Sequence, residues 1–87
     1  MKIIAAPIDT LVIFRGKEKP LPYKFKYIDT EGVRREIKID KILYMEESKL
    51  AGAKAFIYSC QSFIGNDQKR YELKYIVAEC RLELYKI

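Results

Sequence analysis

Between Pro22 and Ile39 the chain reads Pro-Tyr-Lys-Phe-Lys-Tyr-Ile, a four-residue polar turn, and Val-Arg-Arg-Glu-Ile-Lys-Ile. Strand side chains point alternately to opposite faces, so this spacing sends Tyr23, Phe25 and Tyr27 one way and Lys24 and Lys26 the other. The turn Asp29-Thr30-Glu31-Gly32 closes the two runs into a hairpin. Gly32 suits the left-handed position, Thr30 and Glu31 form the right-handed pair before it, and the Asp29 carboxylate hydrogen-bonds forward. Counting outward from Asp29 opposite Val33 pairs Tyr27 with Arg35, Phe25 with Ile37 and Tyr23 with Ile39. The other face pairs Ile28 with Arg34, Lys26 with Glu36 and Lys24 with Lys38. Turn chemistry and hydrophobic alternation thus select one register. Lys26 opposite Glu36 contributes only about 0.2–1 kcal/mol, and Lys24 opposite Lys38 leaves uncompensated positive charge.

The remaining segments also read as strands. Leu11-Val12-Ile13-Phe14 is β-branched and ends at Gly16, and Pro7 separates it from Ile3-Ile4, which is either an edge strand or an irregular lead-in. Ile37 and Ile39 continue to Ile42 with a change of parity, which predicts a bulge near Asp40-Lys41. Tyr44 to Ala51 has room for a helical turn, ended by Gly52. From Ala53 to Phe63 the alternation returns, with Phe56, Tyr58 and Cys60 on one face. Gly65-Asn66 is a two-residue hairpin signal that pairs Cys60 with Tyr71, Tyr58 with Leu73 and Phe56 with Tyr75; a longer loop through Asp67-Gln68 would shift that register. Arg70 to Ile76 and Arg81 to Ile87 are the last strands, joined at Val77-Ala78-Glu79, with Tyr71, Leu73 and Tyr75 facing Leu82 and Leu84.

The expected fold is therefore all-β: an antiparallel meander of five or six strands over residues 1–87, one small domain. No helix is available to cover the apolar face, so a strongly curled sheet or a small barrel must cover it, or a homodimer forms through it. At 87 residues with 49% apolar side chains and seven tyrosines, the chain has material for one modest core. No apolar run is long enough to span a bilayer, and the segment Met1 to Ala6 does not read as a secretory signal, so a cytoplasmic location without membrane contact is expected. In that compartment Cys60 and Cys80 are read as reduced thiols rather than a disulfide.

The inventory of chemistry is short. With no histidine, the usual general base and the commonest metal ligand are absent, together with every Ser-His or Cys-His arrangement. The four glycines are isolated turn residues, not a phosphate loop, and Cys60 and Cys80 lack the spacing of a zinc site. Glu46 and Glu47 are adjacent and point apart, unlike a convergent acid and base. No catalytic residue, cofactor or metal is assigned, and the chain is not read as an enzyme.

The net charge of +5 is uneven. Arg15, Lys17, Lys19, Lys24 and Lys26 stand against Glu18, and Arg34, Arg35, Lys38 and Lys41 against Glu36 and Asp40. A basic half attracts polyanions and acidic surfaces, although lysine-rich strands also serve as solvated faces that discourage edge pairing. Single-strand binders set aromatic rings and cations on one accessible face, whereas this hairpin puts them on opposite faces. Stacking on bases is thereby disfavoured, and backbone contact through Lys24, Lys26, Arg34, Arg35 and Lys38 remains.

The motifs Pro22-x-x-Phe25, Ile39-x-x-Ile42-Leu43, Tyr58, Arg70-Tyr71-x-Leu73-x-Tyr75 and Leu82-x-Leu84 resemble those of small, uncharacterised bacterial all-β proteins, some of them associated with translesion DNA polymerases. The resemblance implies an accessory protein in a nucleic-acid context and carries no catalytic residues across. The expected function is a non-catalytic binding or accessory module that meets an acidic partner, a nucleic-acid backbone or an acidic protein surface, through the basic hairpin face. The alternative is protein interaction or self-association through an exposed strand edge, with Ile57, Phe63 and Ile76 as outward apolar residues.

Overall fold

The computed structural model describes residues 1–87, and they form eight antiparallel strands: β1 (Ile3–Pro7), β2 (Asp9–Ile13), β3 (Leu21–Ile28), β4 (Arg34–Lys38), β5 (Lys41–Leu50), β6 (Ala53–Ile64), β7 (Asp67–Ile76) and β8 (Arg81–Lys86). A single 3₁₀ turn, Val77–Glu79, joins β7 to β8. The strands divide into a five-stranded sheet in the order β1-β8-β7-β6-β5 and a three-stranded sheet in the order β2-β3-β4. The all-β antiparallel class is as the alternation predicts, but the strands number eight rather than five or six and form two sheets, not one closed barrel.

The division has a local cause at each crossing. β1 and β2 are one extended run broken at Ile8, after a register irregularity between Ile3 and Ala6, a positive φ of 45° at Ala5, and Pro7, which has no N–H to donate. β4 and β5 are likewise one run. The Ile39 amide still donates to the Tyr23 carbonyl of β3 at 3.0 Å, whereas the Asp40 amide already donates to Ser62 Oγ of β6 at 3.3 Å. The backbone passes from one sheet to the other between those two residues.

Ser62 holds that corner. Its hydroxyl donates to the Lys38 carbonyl at 2.9 Å, which leaves its lone pairs for the Asp40 amide and the Tyr71 hydroxyl at 2.6 Å. Asp40 answers with a carboxylate oxygen that accepts from the Phe63 amide at 2.8 Å. The parity change expected at Asp40-Lys41 is present as this corner, followed by a register shift between Ile42 and Tyr44.

The first hairpin has the predicted register through all five ladder pairs, from Lys24 opposite Lys38 to Ile28 opposite Arg34. Gly32 takes φ 78° and the Asp29 carboxylate accepts from the Glu31 and Val33 amides, both at 2.9 Å. Tyr23 departs from the face that the alternation assigns it together with Phe25 and Tyr27. β2 pairs Leu11 with Lys24 and Val12 with Pro22, so Tyr23 is the extra residue of a bulge. Pro22 takes the buried position in its stead, and Tyr23 is 43% exposed. Phe25 is buried and Tyr27 half-buried against the core.

The second hairpin and the last strand pair also match the sequence reading: Cys60 faces Tyr71, Tyr58 faces Leu73, Phe56 faces Tyr75, and Leu73 and Tyr75 face Leu84 and Leu82. Ile64 pairs with Asp67 across Gly65-Asn66, and Gly65 adopts φ 65°, the first position of a type II′ turn. The helical turn expected over Tyr44–Ala51 is absent. That segment is the body of β5, laddered to β6 as far as Leu50 opposite Ala53. Pairing with a neighbour sets its conformation where its own periodicity is ambiguous.

One core serves both sheets. Phe25, Ile37 and Ile39 of the smaller sheet and the corner after it meet Phe56, Tyr58, Cys60, Tyr71, Leu73, Tyr75, Leu82 and Leu84 of the larger. The Phe25 and Tyr71 rings meet edge-on at 5.5 Å between centroids. The Tyr58 hydroxyl donates to the Pro20 carbonyl, which draws the loop before β3 onto this core.

Between β5 and β6 the two-residue turn Ala51-Gly52 has φ 51° and 82°, the pattern of a type I′ turn. Ala51 bears the left-handed penalty of about 1–2 kcal/mol that asparagine bears less of. Ala51→Asn is expected to raise stability by about 0.5–1 kcal/mol, read as a higher denaturant midpoint at unchanged slope. A lower midpoint would contradict the turn assignment.

Candidate functional site

The outward face of the three-stranded sheet follows from its ladder. Leu11, Lys24 and Lys38 form one cross-strand row, Asp9, Lys26 and Glu36 the next, and Ile28 with Arg34 the last. Four of the five cations singled out from the sequence therefore share a face. Arg35 does not. It lies opposite Tyr27 on the ring side of the ladder, where its guanidinium pairs with the Asp29 carboxylate. That guanidinium, followed by the Val33 amide, holds the Asp29 carboxyl below its ordinary range. Arg35 thus acts as a brace of the turn.

Within the remaining four, carboxylates intervene. Lys26 faces Glu36 in the ladder as predicted, yet the ion pair forms on the diagonal, between Lys24 Nζ and Glu36 Oε1 at 2.9 Å. The reason is the Lys24–Lys38 juxtaposition, since turning toward Glu36 takes the Lys24 ammonium away from a like charge. The hydrogen bond from Lys24 depresses the Glu36 carboxyl, and the same bond raises the Lys24 ammonium. Arg34 pairs with Asp9 of β2. Lys26 and Lys38 make no ion pair, and the Lys38 ammonium sits 5.8 Å from the centre of the Tyr23 ring. Asp9, Leu11, Lys24, Lys26, Arg34 and Glu36 border a shallow depression of about 340 Å³. Both ion pairs on this face are open to solvent, where water and salt screen them, so an incoming anion can exchange with either carboxylate.

A second concavity escaped the sequence reading. Ile8, Val12 and Phe14 from the β1–β2 run face Tyr75, Cys80 and Leu82 across an apolar groove of about 740 Å³. The signal that could have found it is the composition of β2, whose only charged residue is Asp9. The outward apolar residues expected on β6 and β7 do not merge into one patch. Ile57 and Ile76 are half-buried, and exposed Phe63 stands at the far end of β6.

Cys60 and Cys80 are both free thiols. Cys60 lies in the core, where burial pushes its thiol up to about 12, and Cys80 lies at the surface with φ 51°. No group of three or more histidine, cysteine, aspartate or glutamate side chains is gathered in metal-binding range. No helix is long and apolar enough to cross a membrane. Comparison with protein-family models, with curated proteins and with solved structures finds no match to the chain.

Proposed function

We propose that the protein is a non-catalytic binding module of the cytoplasm whose three-stranded sheet contacts an acidic partner through Lys24, Lys26, Arg34 and Lys38. The observation that carries the reading is that Lys26 and Lys38 stay unpaired on one outward face while Lys24 and Arg34 are held there only by exposed, exchangeable carboxylates. A nucleic-acid backbone is the first candidate, because the contact offers ammonium and guanidinium groups to phosphates and no exposed ring beyond Tyr23 to bases. The resemblance to small, uncharacterised bacterial all-β proteins, some of them associated with translesion DNA polymerases, favours the same context. The continuous strands at the two corners support treating both sheets as one curled, barrel-like wall with this face outermost.

Anisotropy titration of a labelled single-stranded oligonucleotide tests the proposal. Raising salt from about 50 to about 200 mM should weaken binding about sevenfold if two phosphates are held and about fiftyfold if four are. Lys26→Glu combined with Lys38→Glu should abolish it, while Arg35→Gln, off the face, should leave it unchanged. Absence of binding, or binding indifferent to salt, would refute the reading.

A second reading, protein interaction through a strand edge, is favoured by one specific observation: the edge of β2 carries almost none of the charge that protects the β4 and β5 edges.

A further inference from the structure

The two sheets expose four edges, and three are blunted. β4 carries Arg34, Arg35, Glu36 and Lys38, and β5 carries Lys41, Glu46, Glu47 and Lys49. β1 has Pro7 and an irregular backbone at Ala5. Charge, proline and bulges are the devices by which edges refuse another strand. β2, Asp-Thr-Leu-Val-Ile, has one charge, Asp9, and that charge is engaged by Arg34. Leu11 is 56% exposed and Phe14, just past the strand, 64%.

This unguarded edge looks onto the apolar groove. β1 pairs with β8 only as far as Pro7 opposite Glu83; beyond that point β2 turns away to pair with β3, and Leu82 and Arg81 lose their neighbour on that side. The resulting opening is walled by Ile8, Val12 and Phe14 on one side and by Tyr75, Cys80 and Leu82 on the other. Thr10, also on the groove, holds a buried hydroxyl with no hydrogen-bond partner.

We infer that this groove accepts an extended peptide segment of a partner protein, added as a strand along β2, with alternate apolar side chains facing the groove and acidic residues at its N-terminal end. The inference rests on the strand-edge reading and supplies its ligand. Strand addition takes affinity from backbone hydrogen bonds and specificity from alternate side chains. The acidic end is set by charge: Arg15 follows β2 and makes no ion pair, and an antiparallel peptide begins where β2 ends. A second copy of the chain fits less well. Its β2 would arrive with β3 bonded along the other edge, facing the β7–β8 wall, and with a further charge of +5.

The probe is a fluorescein-labelled peptide, Glu-Glu-Val-Thr-Val-Thr-Val, titrated with the full chain. Saturable binding is expected, weakened about tenfold or more by Phe14→Lys and by replacing the glutamates with lysines. N-methylation of alternate valines should abolish it, because it removes the N–H groups a strand needs. Saturating peptide should slow alkylation of Cys80, the thiol on the groove, about fivefold or more. Phe14→Lys should leave oligonucleotide binding intact, which separates failure of this inference from failure of the basic-face proposal. No saturable binding, or indifference to N-methylation, overturns the inference. So does sedimentation as a dimer that Phe14→Lys converts to monomer, since a second copy would then occupy the groove; a chain that remains monomeric with bound peptide supports it.

Discussion

Leu73→Ala is expected to cost about 3 kcal/mol of folding stability, within the usual 2–5 kcal/mol for a fully buried leucine. Leu73 is 0% exposed and lies between Tyr58 of β6 and Leu84 of β8, at the middle of the larger sheet. Neither neighbour can collapse into the vacated space without leaving its ladder position, so most of the cavity persists. A chain of this length has roughly 4–13 kcal/mol in total, and the substitution removes a large part of it. A urea titration should show the midpoint falling by about 1–3 M at unchanged slope. A loss below about 1 kcal/mol would mean that Leu73 is not enclosed between Tyr58 and Leu84.

Ser62→Ala removes a single oxygen and is expected to cost about 2–3 kcal/mol, more than a surface hydroxyl warrants. Ser62 Oγ satisfies the Lys38 carbonyl, the Asp40 amide and the Tyr71 hydroxyl together. Tyr71 is buried, and burial pushes its hydroxyl above the ordinary tyrosine range. Without Ser62, that hydroxyl has no partner in the interior. Deleting it as well should restore part of the loss, so the cycle of Ser62→Ala, Tyr71→Phe and the double variant should show coupling of about 1 kcal/mol. Strict additivity would mean that Ser62 and Tyr71 act independently.

Much of the fold is legible in residues whose determinants are close in sequence. Asp29 and Gly32 define the first turn chemically, and Gly65 the second, so both registers follow from a few residues and the alternation beside them. Arg35 was legible in the same way, since the register that pairs it with Tyr27 already removes it from the lysine face. What the alternation omits is set by neighbours distant in the chain. The bulge that turns Tyr23 outward exists because β2 pairs on both sides of it. β5 is a strand because β6 lies beside it, across a register shift that scrambles its own pattern. The diagonal Lys24–Glu36 pair answers a repulsion between strands, and the groove beside β2 arises where two ladders part company. The basic face was therefore readable in outline, and its partial neutralisation by Asp9 was not, because Asp9 reaches Arg34 only through the third strand.

The ladder between β1 and β8, with Ile3 opposite Lys86 and Ala6 opposite Leu84, joins stretches separated by nearly the whole length of the polypeptide. The hairpins can zip from nearby turns, but this seam requires a long loop to close first. Assembly therefore has a natural order, in which β1 docks onto β8 only after the hairpins have formed.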